Sequence, residues 1–245
     1  MQRRLPYLSF SALLAFATGC DLPLDGGSRG DLGAGSFNYD CVATGDAVCN
    51  RTGAVDANHT EIVLGISREV PLLVAVGGRF DLSFRPDGGS AAFVEPARRR
   101  GVSVQGGFSI SDPGVHAFLA RTRDGEVADF IHVEARRIAE LEIWSEGVPI
   151  SGVSLAVGER LTIAALPVDH QHTPLAGGSS WHWSNPQTGE VELEAAPGPF
   201  DGAAQLDDEV VIVGLAEGTT TVAVQRGDAT AEIPIEVTPA EEVTP

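Results

Sequence analysis

The sequence predicts an all-β fold, two tandem β-sandwiches carried behind an export segment and a glycine-rich tether. Two observations lead to it. Short runs rich in Val, Thr and Ile recur along the chain between Gly, Pro and Asp turns, the pattern of short strands. The composition agrees, because 29 Gly and 15 Pro among 245 residues, with only 6% aromatics, supply many turns. The length leaves room for one large or two small domains, each able to bury a core.

The export segment opens with Arg3 and Arg4, runs through an apolar stretch from Leu5 to Ala17, and reaches Ala17-Thr18-Gly19-Cys20, the layout of a signal peptide. The stretch is shorter than the roughly 20 residues a helix needs to cross a bilayer, and no later run supplies them. No transmembrane helix is expected. Small residues ahead of a cysteine suit an extended chain in a signal-peptidase cleft, and the thiol is the nucleophile that takes up a diacylglycerol group. Residues 17–20 resemble the lipobox of bacterial lipoproteins, with Ala17 where that motif usually has Leu. The resemblance implies cleavage before Cys20, lipidation of Cys20, and a protein exported to the cell envelope and held at a membrane by its lipid. The alternative, cleavage near Gly19, would leave Cys20 as an odd free thiol in an oxidising compartment.

With Cys20 acylated, the two other cysteines, Cys41 and Cys49, form an even set. Gly45 between them allows a turn, and a disulfide closing a small loop is expected. Zinc is the rival, but the nearest histidine is His59 and two thiols alone make a poor site. The segments read as a lipoprotein signal peptide (1–19), a flexible tether and cysteine loop (20–58), a first sandwich (59–136), a second (137–238) and a short tail (239–245).

The net charge is −18, and it is uneven. There is no lysine; residues 59–136 carry nine Arg against ten acids, whereas residues 137–245 carry three against eighteen. Such a surface repels nucleic acid and anionic headgroups, so no nucleic-acid partner is expected. The charge serves either a solvated exterior or the binding of a cation or basic partner.

In the first sandwich strands are predicted at Glu61–Ser67, Leu72–Val76, Arg79–Phe84, Ala91–Glu95, Gly107–Ile110, Val115–Arg121 and Val127–Glu134. Alternation divides Val115, Ala117 and Leu119 from His116, Phe118 and Ala120 without saying which set is inward. The Asp124-Gly125 pair predicts a type I′ hairpin turn. In the second sandwich strands are predicted at Ala139–Trp144, Val153–Val157, Arg160–Val168, Trp181–Ser184, Glu190–Glu194, Val210–Leu215, Thr219–Arg226 and Thr230–Val237.

Three blocks of the second sandwich carry a resemblance: Leu155-Ala156-Val157-Gly158-Glu159, Trp183-Ser184-Asn185-Pro186, and Val213-Gly214-Leu215-Ala216-Glu217-Gly218-Thr219. They are similar to the bacterial immunoglobulin-like domains, group 2 type, of surface adhesins and large envelope proteins. A long insertion between Pro186 and Val210 departs from that pattern. The first sandwich repeats it faintly in Val74-Ala75-Val76-Gly77-Gly78 and Pro113-Gly114-Val115. The resemblance implies tandem immunoglobulin-like sandwiches, with Trp181 or Trp183 as core anchor on a central strand. Replacing the inward one with Ala is expected to cost about 3–5 kcal/mol.

No nucleophile elbow, zinc-protease helix, phosphate loop, Cys-x-x-Cys pair or dinucleotide fingerprint occurs, so no catalytic residue, cofactor or enzyme activity is expected. His170, His172 and His182, with Asp169, are the candidate metal ligands; the favoured reading is loop histidines without a metal. Asp207-Asp208-Glu209 offers hard oxygens for calcium but lacks the spaced pattern of a dedicated loop, and reads as a solvated turn. Arg98-Arg99-Arg100 reads as a solvated loop, able to dock on an acidic surface. The function expected is a non-enzymatic, lipid-anchored spacer or adhesive module whose partner is an envelope protein or polysaccharide. The alternative is a lipoprotein binding a carbohydrate or metal through loops of the second sandwich.

Overall fold

The computed structural model describes residues 27–40, 45–47, 67–68, 70, 73–88, 92–186, 189–196 and 206–240. Cys20, Cys41, Cys49, the signal-peptide segment and most of the predicted strand Glu61–Ser67 lie outside the described residues. Among the described residues the elements are strands, apart from a helical position at Ala47, and no helix is long and apolar enough to cross a membrane.

The first half contains β1 (Ser28–Arg29), β2 (Gly35–Asp40), β3 (Ser67–Arg68), β4 (Leu73–Ala75), β5 (Arg79–Pro86), β6 (Ala92–Pro96), β7 (Val102–Ser103), β8 (Phe108–Ile110), β9 (Gly114–Thr122) and β10 (Val127–Arg136). One sheet runs β1-β2-β5-β8-β7, with β3 beside β2, and the other runs β4-β10-β9-β6. The second half contains β11 (Glu140–Ser145), β12 (Val148–Pro149), β13 (Val153–Ala156), β14 (Arg160–Val168), β15 (His182–Ser184), β16 (Val191–Ala196), β17 (Leu206–Gly214), β18 (Gly218–Arg226) and β19 (Ala229–Thr238). Its sheets run β12-β11-β14-β17-β16 and β13-β19-β18-β15.

The same path is walked twice. A first strand (β2 or β11) joins one sheet, and the chain then crosses so that β4 or β13 lies parallel to the last strand of the other. The remaining neighbours are antiparallel, giving the two facing sheets of an immunoglobulin-like sandwich in both halves.

Alternation decides what fills each core. In β9 and β10, Phe118, Ala120, Ile131 and Val133 are buried, while Val115 on the other face is 67% exposed. That settles the ambiguous face. The first core is aromatic: Phe118 meets Phe80 and Phe108 edge-on at 5.7 and 4.9 Å between ring centres, and Phe37 meets Phe84 at 4.8 Å. The second is aliphatic, built from Leu155, Ile163, Ile212, Val222, Ile233 and Ile235.

Four expectations are corrected. Gly35–Asp40, in the stretch read as tether and cysteine loop ahead of residue 59, forms β2 and pairs with β5. Its Phe37 and Tyr39 are buried, an alternation hidden behind the glycine-rich sequence before it. The Asp124-Gly125 turn is not type I′, because only Gly125 has positive φ (85°). The hairpin is closed instead by Thr122 and Glu126, and a bulge follows between Val127 and Asp129. A turn with both central residues at positive φ, Glu146 (47°) and Gly147 (81°), joins β11 to β12. Asp207, Asp208 and Glu209 are not a turn but part of β17, with Asp208 fully buried.

Neither Trp181 nor Trp183 is a buried core anchor; both are half-buried at the margin of the aliphatic core. The reason is topological. β15 is the edge strand of its sheet, so Trp183 faces inward beside Val224 but lies where the sandwich opens. Phe118→Ala should therefore cost about 3–5 kcal/mol in urea unfolding, and Trp183→Ala distinctly less. Equal losses would contradict this assignment of the cores.

Candidate functional site

The chain between β14 and β15 joins the two sandwiches. After β14 it turns at Asp169, re-pairs Pro174 with Val168, and then crosses onto the first sandwich. Ala75 N–H donates to the Ala176 carbonyl (2.8 Å), and Ala176 N–H to Leu73 (3.1 Å). Arg79 N–H donates to Gly178 (2.7 Å), and Gly178 N–H back to Arg79 (2.6 Å). Ala176 is fully buried within the first sandwich's core. Gly177 has φ of 104°, and a Cβ there would meet the Gly78 Cα at 3.2 Å, so only glycine gives this close approach.

A buried polar group sits beneath this ladder. The Tyr39 hydroxyl, from the first sandwich, donates to the Asp46 carboxylate, which also accepts the Gly177 N–H at 3.1 Å. Burial, then the Asp46 charge and hydrogen bond, push the Tyr39 phenol well above its ordinary pKa. Arg226 closes β18, where the inward positions Thr220, Val222 and Val224 lead to an inward guanidinium. It donates to the Gly177 carbonyl and lies 5.0 Å over the Trp181 ring. Burial lowers its pKa, against the opposing charges of Asp46, Tyr39 and Asp208. Trp181 Nε1 donates to the Gly45 carbonyl at 2.8 Å. Ala47 packs on Leu166 and Val168. The described part of the cysteine loop therefore rests on both sandwiches, Asp46 on Tyr39 of the first and Gly45 and Ala47 on the second.

The candidate metal ligands do not converge. His182 is exposed on β15, His170 is exposed in the turn, and neither joins His172. His172 instead meets Glu140 and Glu142 of β11, with its Nδ1 at 2.9 and 3.0 Å from their Oε1 atoms. These three form the one group among the described residues whose ligand atoms lie close enough to hold a metal. As they stand they form an ion pair, and the Glu142 hydrogen bond and Glu140 charge raise the His172 pKa. His172 lies 30 residues from Glu142 and still farther from Glu140, which is why spacing alone pointed to the wrong partners. Asp169 shapes the turn by accepting the N–H groups of Gln171 and Thr173 and pairing with Arg136.

Arg98, Arg99 and Arg100 are exposed, as expected of a solvated loop. Arg98 and Arg100 border an open groove with Asp112, Val115, His116 and His132. The junction residues Arg226 and Gly177 escaped the sequence reading, which has the former only as the last residue of a predicted strand. The signal was present in the alternation that ends on Arg226.

Burial works to raise the Asp169 pKa, but the Thr173 N–H, the Arg136 guanidinium and the Gln171 N–H outweigh it and hold it at about 2. The folded value lies below the ordinary 3.8, so this pair's contribution is present above that value and is lost as pH falls through 2. Urea midpoints measured down an acid series should show this loss in the native chain, and Asp169→Asn should lack that step.

No protein-family model matches the chain, and no curated protein matches it in sequence. Among solved structures it is similar to domains 4 and 5 of the S-layer protein SbsC, at 18% identity over 68% of this chain and 92% of that one (TM-score 0.33). It is similar to FdeC, an Escherichia coli adhesin, at 16% identity over 70% and 62% of the two chains (TM-score 0.33). A glycosyl hydrolase family 2 member from Bacteroides cellulosilyticus matches at 12% identity over 54% of this chain and 18% of that one (TM-score 0.30). This chain thus spans under two thirds of the latter two. These likenesses say nothing of its activity or partner.

Proposed function

We propose that this chain is a non-enzymatic, lipid-anchored envelope protein whose sandwiches act together as a spacer or partner-binding module. The observation that supports the spacer reading is the backbone ladder from Leu73 to Arg79 against Ala176 to Gly178, which ties the two sandwiches directly. Strand-type pairing of this kind resists hinge motion better than a bare linker does. Support for the anchor comes from Ala17-Thr18-Gly19-Cys20, and the partner class is an envelope protein or polysaccharide. Both tryptophan indoles are engaged by backbone carbonyls, Trp181 with Gly45 and Trp183 with Asp207, which weakens the case for a tryptophan-lined sugar pocket.

Cells given a palmitate analogue and then fractionated should show label on the native chain in the membrane fraction, and none on Cys20→Ala. Crosslinking in the same cells identifies the partner. An unlabelled native chain would overturn the anchor.

A further inference from the structure

The outward face of β11 and the turn after β14 meet in a set of metal-ligating side chains drawn from both. Along β11, Leu141 and Ile143 point into the core, so Glu140, Glu142 and Trp144 share the opposite face. β14 runs antiparallel beside it, with Glu140 opposite Val168, and the turn that follows returns His172 to the two glutamates. His172 is fixed there by its backbone. Its N–H donates to the Asp169 carbonyl at 2.9 Å, and the Asp169 carboxylate holds the N–H groups of Gln171 and Thr173 on either side. Trp144 Nε1 donates to Glu142 Oε2 at 3.0 Å, which leaves Oε1 for the imidazole. Nδ1 stands 2.9 Å from Glu140 Oε1 and 3.0 Å from Glu142 Oε1, and the three ligand atoms lie within 4.8 Å of one another.

We infer that Glu140, Glu142 and His172 bind a divalent transition ion of the zinc type, through Nδ1 and one oxygen of each carboxylate, with water completing the shell. Metal–ligand bonds of about 2.0–2.2 Å place neighbouring ligand atoms roughly 3.0–3.4 Å apart, so both nitrogen–oxygen separations are already close to a coordination edge. Glu140, exposed at the start of its strand, supplies the remaining adjustment. Charge favours the exchange. A protonated imidazole offsets only one of the two carboxylates, and among the described residues no arginine pairs with either. A dication offsets both. The imidazole selects the class of ion, because calcium and magnesium prefer an all-oxygen shell. Bound there, the ion would fasten the turn to β11 just ahead of the segment from Ala176 to Gly178 that pairs with the first sandwich. The site depends neither on the lipid anchor nor on any partner.

The test is calorimetric titration of the full chain, freed of metal with a chelator, with zinc chloride and calcium chloride. Saturable uptake of zinc at micromolar concentration, far tighter than calcium, is expected. His172→Asn should weaken it about tenfold or more, because asparagine tolerates the positive φ of 58° but offers no imidazole. Glu140→Gln should weaken it similarly, whereas His170→Ala and His182→Ala should leave it unchanged. All four side chains are exposed, so circular dichroism should show the fold unaltered. Zinc should also raise the urea midpoint of the native chain and not that of His172→Asn. Absence of saturable zinc uptake, calcium binding as tight as zinc, or a zinc affinity unmoved in His172→Asn would overturn the inference. The first of these would leave the three residues as an ion pair only.

Discussion

Four backbone hydrogen bonds between the start of the first sandwich and the β14–β15 connection of the second govern how this molecule is built. β4 lies at the edge of its sheet and would otherwise leave a row of N–H and C=O groups unpaired. The segment around Ala176 covers that edge from the neighbouring sandwich, and Ala176 completes the first core. The second sandwich is thus part of how the first one closes.

That arrangement brings polar groups into the interior, and their pairing explains the residues around them. Tyr39 and Asp46, close in sequence, and the distant Arg226 meet at Gly177, which offers its N–H to Asp46 and its carbonyl to Arg226. A buried polar set of this kind rewards one geometry and penalises others, because each member left unpaired is costly. Glycine at 177 and 78 lets the two backbones approach closely enough for it to form. Trp181, expected as a core filler, serves this junction through its indole N–H and its face.

Local pattern made much of the fold legible. β14 runs from Arg160 to Val168 as the alternation predicts, and the β9–β10 and β18–β19 hairpins stand where the turn residues place them. What escaped depends on contacts between distant segments. β2 is a short alternation behind a glycine-rich stretch, and its role becomes visible only in its pairing with β5. His172 meets glutamates from β11, which no local spacing reveals. Arg226 stands in the sequence only as the end of a predicted strand, since a charged side chain on an inward face makes sense only once Gly177 and Asp46 lie against it.

The most direct measurement is amide hydrogen exchange at Ala75, Arg79, Ala176 and Gly178, under native conditions in the full chain. If the ladder joins the sandwiches as one unit, these four amides exchange as slowly as core amides such as those of Val133 and Ile235. Exchange at the rate of an open loop, with those core strands still protected, would show that the sandwiches move apart and would contradict this account.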